Sequence, residues 1–179
     1  SFLRLVPHQE APTSICWGDR NRSVLVRVPL GWQNIDDSMF RDANPAEPAI
    51  DELPNDSQTV ELRSPDGSAA VHLLLAGIAV AARIGLTEPG MADYARERKV
   101  DGDASQTPNL DQLPGSCFEA AGRLLAQRED YEAKGVFPAG LIDSWASRLV
   151  ALGDVHLRDD LADSRISVEE LVERYFHIG

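Results

Sequence analysis

The chain has 179 residues, 43% of them hydrophobic, and a formal net charge of −12. This length and apolar content suffice for one core, whereas the acidity excludes nucleic acid as a partner because a polyanion would be repelled. Two cysteines do not make a disulfide framework, so reduced thiols and a cytoplasmic location are expected. The longest apolar run, residues 69–82, is shorter than the ~20 residues that span a bilayer, so we expect a buried helix and no membrane partner.

The first 30 residues are basic, although the chain as a whole is acidic. Only Glu10 and Asp19 oppose four arginines there: Arg4, Arg20, Arg22 and Arg27. The guanidinium group is always charged and presents a rigid fork of donors that suits carboxylate and phosphate groups. The concentration of arginine therefore predicts a site for a small anionic ligand.

Two strands are predicted in the first third of the chain, over residues 23–28 and 59–63. The period of two places Glu61 and Arg63 on one face of the second strand, where they form either a solvated salt bridge or the lining of a polar site. Arg22 and Arg27 are five residues apart and would face opposite sides of a regular strand. Either Arg22 lies in the loop before the strand, or a bulge redirects it.

The segment between these strands, residues 31–58, is an acidic insertion. It contains seven acidic residues and one arginine, together with several Pro, Asn and Ser residues. Such a composition buries little apolar surface and predicts a long exposed loop.

From Gly67 onwards the apolar pattern is helical. A first helix is predicted over residues 68–84, closed by Gly85 and Pro89, followed by a polar connection over 86–112 with a weak helical stretch at 91–98. Further helices are predicted from Ser116 to about 131, over 141–152 and from Ser167. Ser116 with Glu119, and Ser167 with Glu170, have the spacing of capping boxes. The inner face of the helix after Ser116 is expected to carry four residues: Phe118, Ala121, Leu124 and Leu125.

Three motifs in the first 66 residues resemble one enzyme family. They are R-L-V-P-x-x-E-A-P at 4–12, N-R-S-x-x-x-R-x-P at 21–29 and E-L-R-S-P-D at 61–66. In this order and spacing, with L-P-G-S at 113–116 and G-V-F at 135–137, they resemble the C-terminal half of the catalytic domain of the glutamine synthetase family.

The resemblance implies an α+β fold in which antiparallel strands of a curved sheet precede a helical region. Residues 1–66 would form the strands, flap and acidic insertion (31–58), and residues 67–179 the helical part of the same domain. The family's N-terminal domain and the first half of its catalytic domain would be absent. The missing initiator methionine likewise suggests a piece of a longer polypeptide, inactive by itself.

The resemblance also implies an activity, which is ATP-dependent amide formation from glutamate and ammonia through γ-glutamyl phosphate in a homo-oligomer. ATP and Mg²⁺ (or Mn²⁺) would be the cofactors. Arg4 would hold the substrate α-carboxylate, and Glu10 would close over the acyl phosphate and accept the ammonium proton. Arg22 and Arg27 would line the phosphoryl-transfer region and bind substrate.

The third motif would complete the site. Glu61 would be a ligand of one divalent ion, and Arg63 would face the transferred phosphoryl group and bind substrate. Four departures from the family pattern stand beside these matches: His8-Gln9 replace Gly-Tyr in the flap, Thr59 replaces an arginine, Ala70-Val71-His72 stand where the family has Asn-Pro-Tyr, and residues 31–58 are added. The alternatives to a glutamate–ammonia ligase are therefore a γ-glutamyl-amine ligase and a non-catalytic structural or regulatory relative.

Overall fold

The computed structural model describes Leu5 and residues 11–29, 42–46, 59–65 and 67–175, with the backbone alone at 174 and 175. Most of the acidic insertion lies outside these ranges. Residues 42–46 are the described part of it, and all five are exposed, as the composition predicts.

Three short strands precede seven α-helices that lie wholly within the described residues. The strands are β1 (Trp17–Asp19), β2 (Val26–Val28) and β3 (Glu61–Leu62). The helices are α1 (Val71–Thr87), α2 (Met91–Glu97), α3 (Cys117–Ala126), α4 (Arg128–Glu132), α5 (Ala139–Ala151), α6 (Leu157–Ala162) and α7 (Val168–Tyr175). The predicted α+β class is confirmed.

The central strand of the sheet is β2, in the order β1–β2–β3. Arg27 of β2 lies opposite Gly18 of β1 in parallel pairing and opposite Glu61 of β3 in antiparallel pairing. The antiparallel arrangement is confirmed for β2 and β3, but β1 makes the sheet mixed. The sequence Trp-Gly-Asp of β1 is too short to show a strand pattern, so this strand was not predicted.

The end of the predicted polar connection is paired with the chain around β1. The N–H of Trp17 donates to the carbonyl of Arg98 over 3.0 Å, and the N–H of Val100 donates back to the carbonyl of Trp17 over 2.8 Å. Further along, the N–H of Leu113 donates to the carbonyl of Thr13 over 2.7 Å. Residues 98–113, here named the clasp segment, therefore hold the chain before and within β1 at two points.

A small buried cluster joins the clasp segment to the strands. Val24, which is fully buried, packs with Cys16 from the chain before β1 and with Val100 and Ala104 from the clasp segment. Because half of this cluster comes from each segment, the position of the loop before β2 depends on the clasp segment.

A second cluster holds the helical part together. Val80 of α1 packs with Phe137 and with Ile142 of α5, and the ring of Tyr131 meets that of Phe137 edge-on at 5.6 Å. Small residues of α3 and α5, Ala121 and Ala146, are both buried between the helices. The sheet and the helices thus have separate apolar cores.

α1 differs from its prediction at its end and in its burial. It continues through Gly85 and ends before Pro89, since the residue that precedes a proline favours extended backbone and Glu88 has φ −81° and ψ 138°. Leu75 and Leu86 are 58% and 87% exposed, so the expectation of a buried helix is wrong for one face of α1. No single helix in the described ranges is long and apolar enough to cross a membrane, although α1 and α2 together pass by length and composition across a bend of 107°.

The helix after Ser116 begins as predicted and ends earlier. The Ser116 hydroxyl accepts the N–H of Glu119 over 3.1 Å, which confirms the cap, and α3 stops before Gln127. Ala121 and Leu124 face the core, but Phe118 and Leu125 are 50% and 41% exposed, so their predicted burial is wrong. At about 100° per residue, Phe118 and Leu125 lie on one side of Ala121 and Leu124 lies on the other. The neighbouring elements cover the side of Leu124.

Two of the last three helices, α5 and α7, follow the sequence signals closely, whereas α6 was not predicted. α5 begins two residues before its predicted start, and its Ile142 lies in the core. At the start of α7, the Ser167 hydroxyl accepts the N–H of Glu170 over 3.1 Å, and the Glu170 carboxylate accepts the N–H of Ser167 over 2.8 Å. This reciprocal pair confirms the second capping box.

Candidate functional site

Three of the predicted site residues meet across β2 and β3. Arg27 and Glu61 are direct cross-strand partners, and Arg27 donates from Nε (2.6 Å) and Nη2 (2.5 Å) to Oε2 of Glu61. The Nε of Arg63 lies 3.7 Å from the other carboxylate oxygen of Glu61. Glu61 is thus held between two guanidinium groups. Glu61 and Arg63 lie close together as their spacing predicts, although the observed strand β3 ends at Leu62.

This charged set is partly shielded from solvent. The side chains of Arg27, Glu61 and Arg63 are 23%, 40% and 14% exposed. Two arginines around one carboxylate leave a net charge of about +1 in an acidic chain, with a larger electrostatic effect than in open water. The three residues therefore form a cross-strand ion pair, and their net positive charge would favour the binding of an anion.

Arg22 lies in the loop before β2, which decides between the two alternatives that the spacing left open. The strand begins only at Val26, and Arg22 is exposed in a bend four residues earlier. Its carbonyl oxygen accepts a hydrogen bond from Nη1 of Arg63, which also lies 3.4 Å from the carbonyl of Val24. The backbone of Arg22 and the side chain of Arg63 are therefore in direct contact.

The residues on either side of Arg22 attach its loop to the clasp segment. The amide nitrogen of Asn21 donates to the carbonyls of Val100 (3.1 Å) and Gly102 (2.6 Å). The Ser23 hydroxyl accepts the N–H of Ala104 over 2.8 Å. Sequence reasoning missed both anchors, although Asn and Ser beside an arginine have the local hydrogen-bonding capacity that favours such turns.

Arg4 and Glu10 lie outside the described residues, so their predicted roles remain predictions. The described residues near them are anchored. Leu5 is buried, and its carbonyl accepts a hydrogen bond from Nη2 of Arg158 over 2.8 Å. On the other side, Pro12 is fully buried.

The model of the glutamine synthetase catalytic domain matches residues 1–148 of this chain. The chain belongs to that family. It is 34% identical over 187 residues to a glutamine synthetase of Pyrococcus abyssi and 31% identical over 185 residues to one of Thermococcus kodakarensis. Each alignment covers 99% of this chain and 36% of the relative. A glutamine synthetase of Mycobacterium tuberculosis is 29% identical over 152 residues, which are 82% of this chain and 27% of the relative. The chain therefore spans about a third of the length of the first two relatives.

The described residues of this glutamine synthetase family member do not by themselves fit a divalent metal ion. Such ions take about six oxygen ligands. Across the described ranges, no group of three or more His, Cys, Asp or Glu side chains could hold one. Glu61 contributes a single carboxylate, and Arg27 already donates to it from two nitrogens. Further carboxylates would have to join Glu61 for a metal to bind there.

Proposed function

We propose that this chain is the C-terminal part of a glutamine synthetase-type ligase that forms glutamine from glutamate and ammonia at the expense of ATP. The family's N-terminal domain and the first half of its catalytic domain would lie in the longer polypeptide. A cytoplasmic homo-oligomer is part of this proposal, as is the inactivity of the 179-residue chain by itself. The family membership supports the reaction class, and the arrangement of charged residues supports the site.

The single observation that carries the proposal is the arrangement of Arg27 and Arg63 around Glu61, with Arg22 joined to Arg63. Each of these residues falls in a family motif, and the three motif arginines come from segments up to 41 residues apart. A surface with only a structural role has no physical need for the guanidinium groups of Arg27 and Arg63 to converge beside the Arg22 backbone, whereas phosphoryl transfer depends on fixed positive charge.

The reaction would proceed in two steps. An oxygen of the glutamate γ-carboxylate attacks the γ-phosphorus of ATP, and ADP leaves with the electrons of the broken P–O bond. Ammonia then attacks the acyl carbon, the amide C–N bond forms, and inorganic phosphate leaves. One proton of the incoming ammonium must be removed before its nitrogen becomes a nucleophile.

The residues of this chain would bind, orient and exclude water. Arg4 would hold the substrate α-carboxylate, and Glu10 would cover the acyl phosphate and take the ammonium proton at its carboxylate. The guanidinium groups of Arg22, Arg27 and Arg63 would stabilise the charge that spreads over the transferred phosphoryl oxygens. Because Glu61 holds the side chains of Arg27 and Arg63 before substrate binds, these two groups would need little reorganisation during the reaction.

Mg²⁺ or Mn²⁺ would supply charge neutralisation of the ATP phosphates when bound. Within this chain Glu61 is the proposed ligand, and its partners would come from the part of the relatives that this chain does not match. Glu61 would then have to exchange its bonds with Arg27 for the ion, or share its carboxylate between the two.

The test is phosphate release by the full-length polypeptide with MgATP, glutamate and ammonium, repeated with a panel of primary amines. Turnover that requires glutamate and is lost in Glu10→Ala supports the ligase. A preference for a larger amine over ammonium would instead identify a γ-glutamyl-amine ligase. No turnover with any amine from a folded, metal-loaded oligomer would favour the non-catalytic relative and overturn the proposal.

A further inference from the structure

We infer that Asn21 is a positioning residue for Arg22, and that the clasp segment, far away in sequence, is thereby part of the scaffold of the active site. This inference rests on the proposed function, since it assigns a role to Arg22 in phosphoryl transfer. It concerns the described residues only.

The side-chain amide of Asn21 uses all of its hydrogen-bonding capacity in this position. Its Nδ2 donates to the carbonyls of Val100 and Gly102, at 3.1 and 2.6 Å. Its Oδ1 accepts from the N–H of Ser23 at 2.9 Å and from the Ser23 hydroxyl at 2.7 Å. An amide offers two donors and two acceptor sites, so no other side chain of this size satisfies all four contacts.

These bonds span Arg22 on both sides. Asn21 joins the loop to residues 79 and 81 positions away in sequence, and the Ser23 hydroxyl receives the N–H of Ala104 at 2.8 Å. The carbonyl of Arg22 itself is bound by Arg63. With Asn21, the Arg22 carbonyl and Ser23 all attached, the Cα of Arg22 has little freedom, and its side chain leaves the loop from a defined point.

The position of Arg22 matters for catalysis because a charged group stabilises a transition state only when it is correctly placed. A catalytic group displaced by about 1 Å loses on the order of 100-fold in rate. We expect the loop that carries Arg22 to move by about that amount once its bonds to the clasp segment are lost. The role of the clasp segment cannot be read from its side chains, because the groups that accept hydrogen bonds from Asn21 are the backbone carbonyls of Val100 and Gly102.

The test is a double-mutant cycle on the full-length enzyme. Asn21→Asp keeps the size and the acceptor oxygen for Ser23 but removes both donors and places a carboxylate oxygen against two carbonyls. We expect kcat/KM to fall by about 100-fold in Asn21→Asp and by at least as much in Arg22→Ala. If Asn21 acts through Arg22, Asn21→Asp with Arg22→Ala is no slower than Arg22→Ala alone.

A control variant breaks a bond between the same two segments away from Arg22. Nε2 of Gln112 donates to the Ser14 hydroxyl and, within the clasp segment, to the Leu110 carbonyl, both at 3.0 Å. Gln112→Glu therefore removes two donors, one of which joins the clasp segment to the chain before β1. It should leave kcat/KM within about twofold. Losses that multiply in the double variant, or an equal loss in Gln112→Glu, would show a general structural role and overturn the inference.

Amide hydrogen exchange gives a readout that does not depend on turnover. In Asn21→Asp the Ala104 amide should exchange faster, because its acceptor is the Ser23 hydroxyl, while the Leu113 amide on Thr13 stays protected. An unchanged exchange rate of the Ala104 amide would contradict the attachment of the Arg22 loop to the clasp segment through Asn21. If Asn21→Asp does not fold, Ser23→Ala removes the bond to Ala104 and is measured instead. Wild-type enzyme without turnover would refute the proposed function, whereas wild-type turnover with multiplying losses would refute only the positioning role.

Discussion

Replacement of Gly18 by alanine tests the closest backbone approach in the described part of the sheet. A Cβ at this position would lie 2.4 Å from the carbonyl oxygen of Val100 and 3.3 Å from Cβ of Asn21. An ordinary van der Waals contact is at least about 3.4 Å, so β1 and the clasp segment must separate by about 1 Å. Because the first obstacle is a backbone atom, no side-chain rotation removes the clash.

The expected loss of stability is the sum of overpacking and broken hydrogen bonds. Overpacking costs about 1–3 kcal/mol. The separation also strains the bonds of Trp17 with Arg98 (3.0 Å) and Val100 (2.8 Å), each worth about 1 kcal/mol net. Alanine recovers about 0.5–1 kcal/mol of backbone entropy, so the free energy of unfolding should fall by about 2–4 kcal/mol.

Urea unfolding at equilibrium measures this loss, and two other glycines provide the control. Gly77 and Gly122 lie inside α1 and α3, where a new Cβ meets nothing within 4 Å. Gly77→Ala and Gly122→Ala should raise the free energy of unfolding by about 0.5–1 kcal/mol each, since alanine is the better helix former. A Gly18→Ala variant as stable as the wild type would refute the close approach of β1 to the clasp segment.

Three further outcomes follow from contacts outside the site. Asp154 accepts the N–H of Cys117 at the start of α3 over 2.7 Å, so Asp154→Asn should lower the free energy of unfolding by about 1–2 kcal/mol in a urea titration. Asp143 belongs to an exposed ion pair, and Asp143→Asn should change the free energy of unfolding by less than about 0.5 kcal/mol in the same titration. Burial, and then the hydrogen bond to Asp154, raise the pKa of the Cys117 thiol to about 12. In the unfolded chain the thiol ionises near pH 8.5, so its contribution to the free energy of unfolding is complete below that pH and is lost as the pH rises towards 12. The urea midpoints at pH 7.5 and pH 10.5 should therefore differ less in Cys117→Ala than in the wild type. Equal differences in the two proteins would contradict this. Arg158→Ala should lower the free energy of unfolding by about 1 kcal/mol and speed proteolysis near Leu5, whose carbonyl it binds over 2.8 Å; unchanged proteolysis would show that this contact does not anchor the segment.

Local signals in the sequence were sufficient for the starts of α3 and α7 and for the proximity of Glu61 and Arg63. Ser116 and Ser167 were identified as caps because their partners lie three residues away, within one turn. The proximity of Glu61 and Arg63 was predicted because side chains two residues apart in extended chain lie on one face, and that rule needs no tertiary information.

Contacts between distant segments could not be predicted from such rules. The strand at Trp17–Asp19 pairs in parallel with β2 and also with residues about 80 positions later, and nothing in its three residues indicates either pairing. Asn21 was missed for the same reason, since its acceptors are backbone carbonyls of the clasp segment. The exposed position of Phe118 likewise depends on which neighbour covers α3.

The most direct test of the central claim is the trapping of the proposed acyl phosphate by hydroxylamine. Full-length enzyme with MgATP, glutamate and hydroxylamine should form γ-glutamyl hydroxamate, and the rate should fall at least about 100-fold in Arg63→Lys, which loses the guanidinium fork. Arg96→Lys, at an arginine of α2 that is 74% exposed, is the matched control and should retain the wild-type rate. Hydroxamate that requires both ATP and glutamate, with this difference between the two variants, is the predicted result. No hydroxamate from folded wild-type enzyme, or equal rates in Arg63→Lys and the wild type, would contradict the assignment of phosphoryl transfer to this set of arginines.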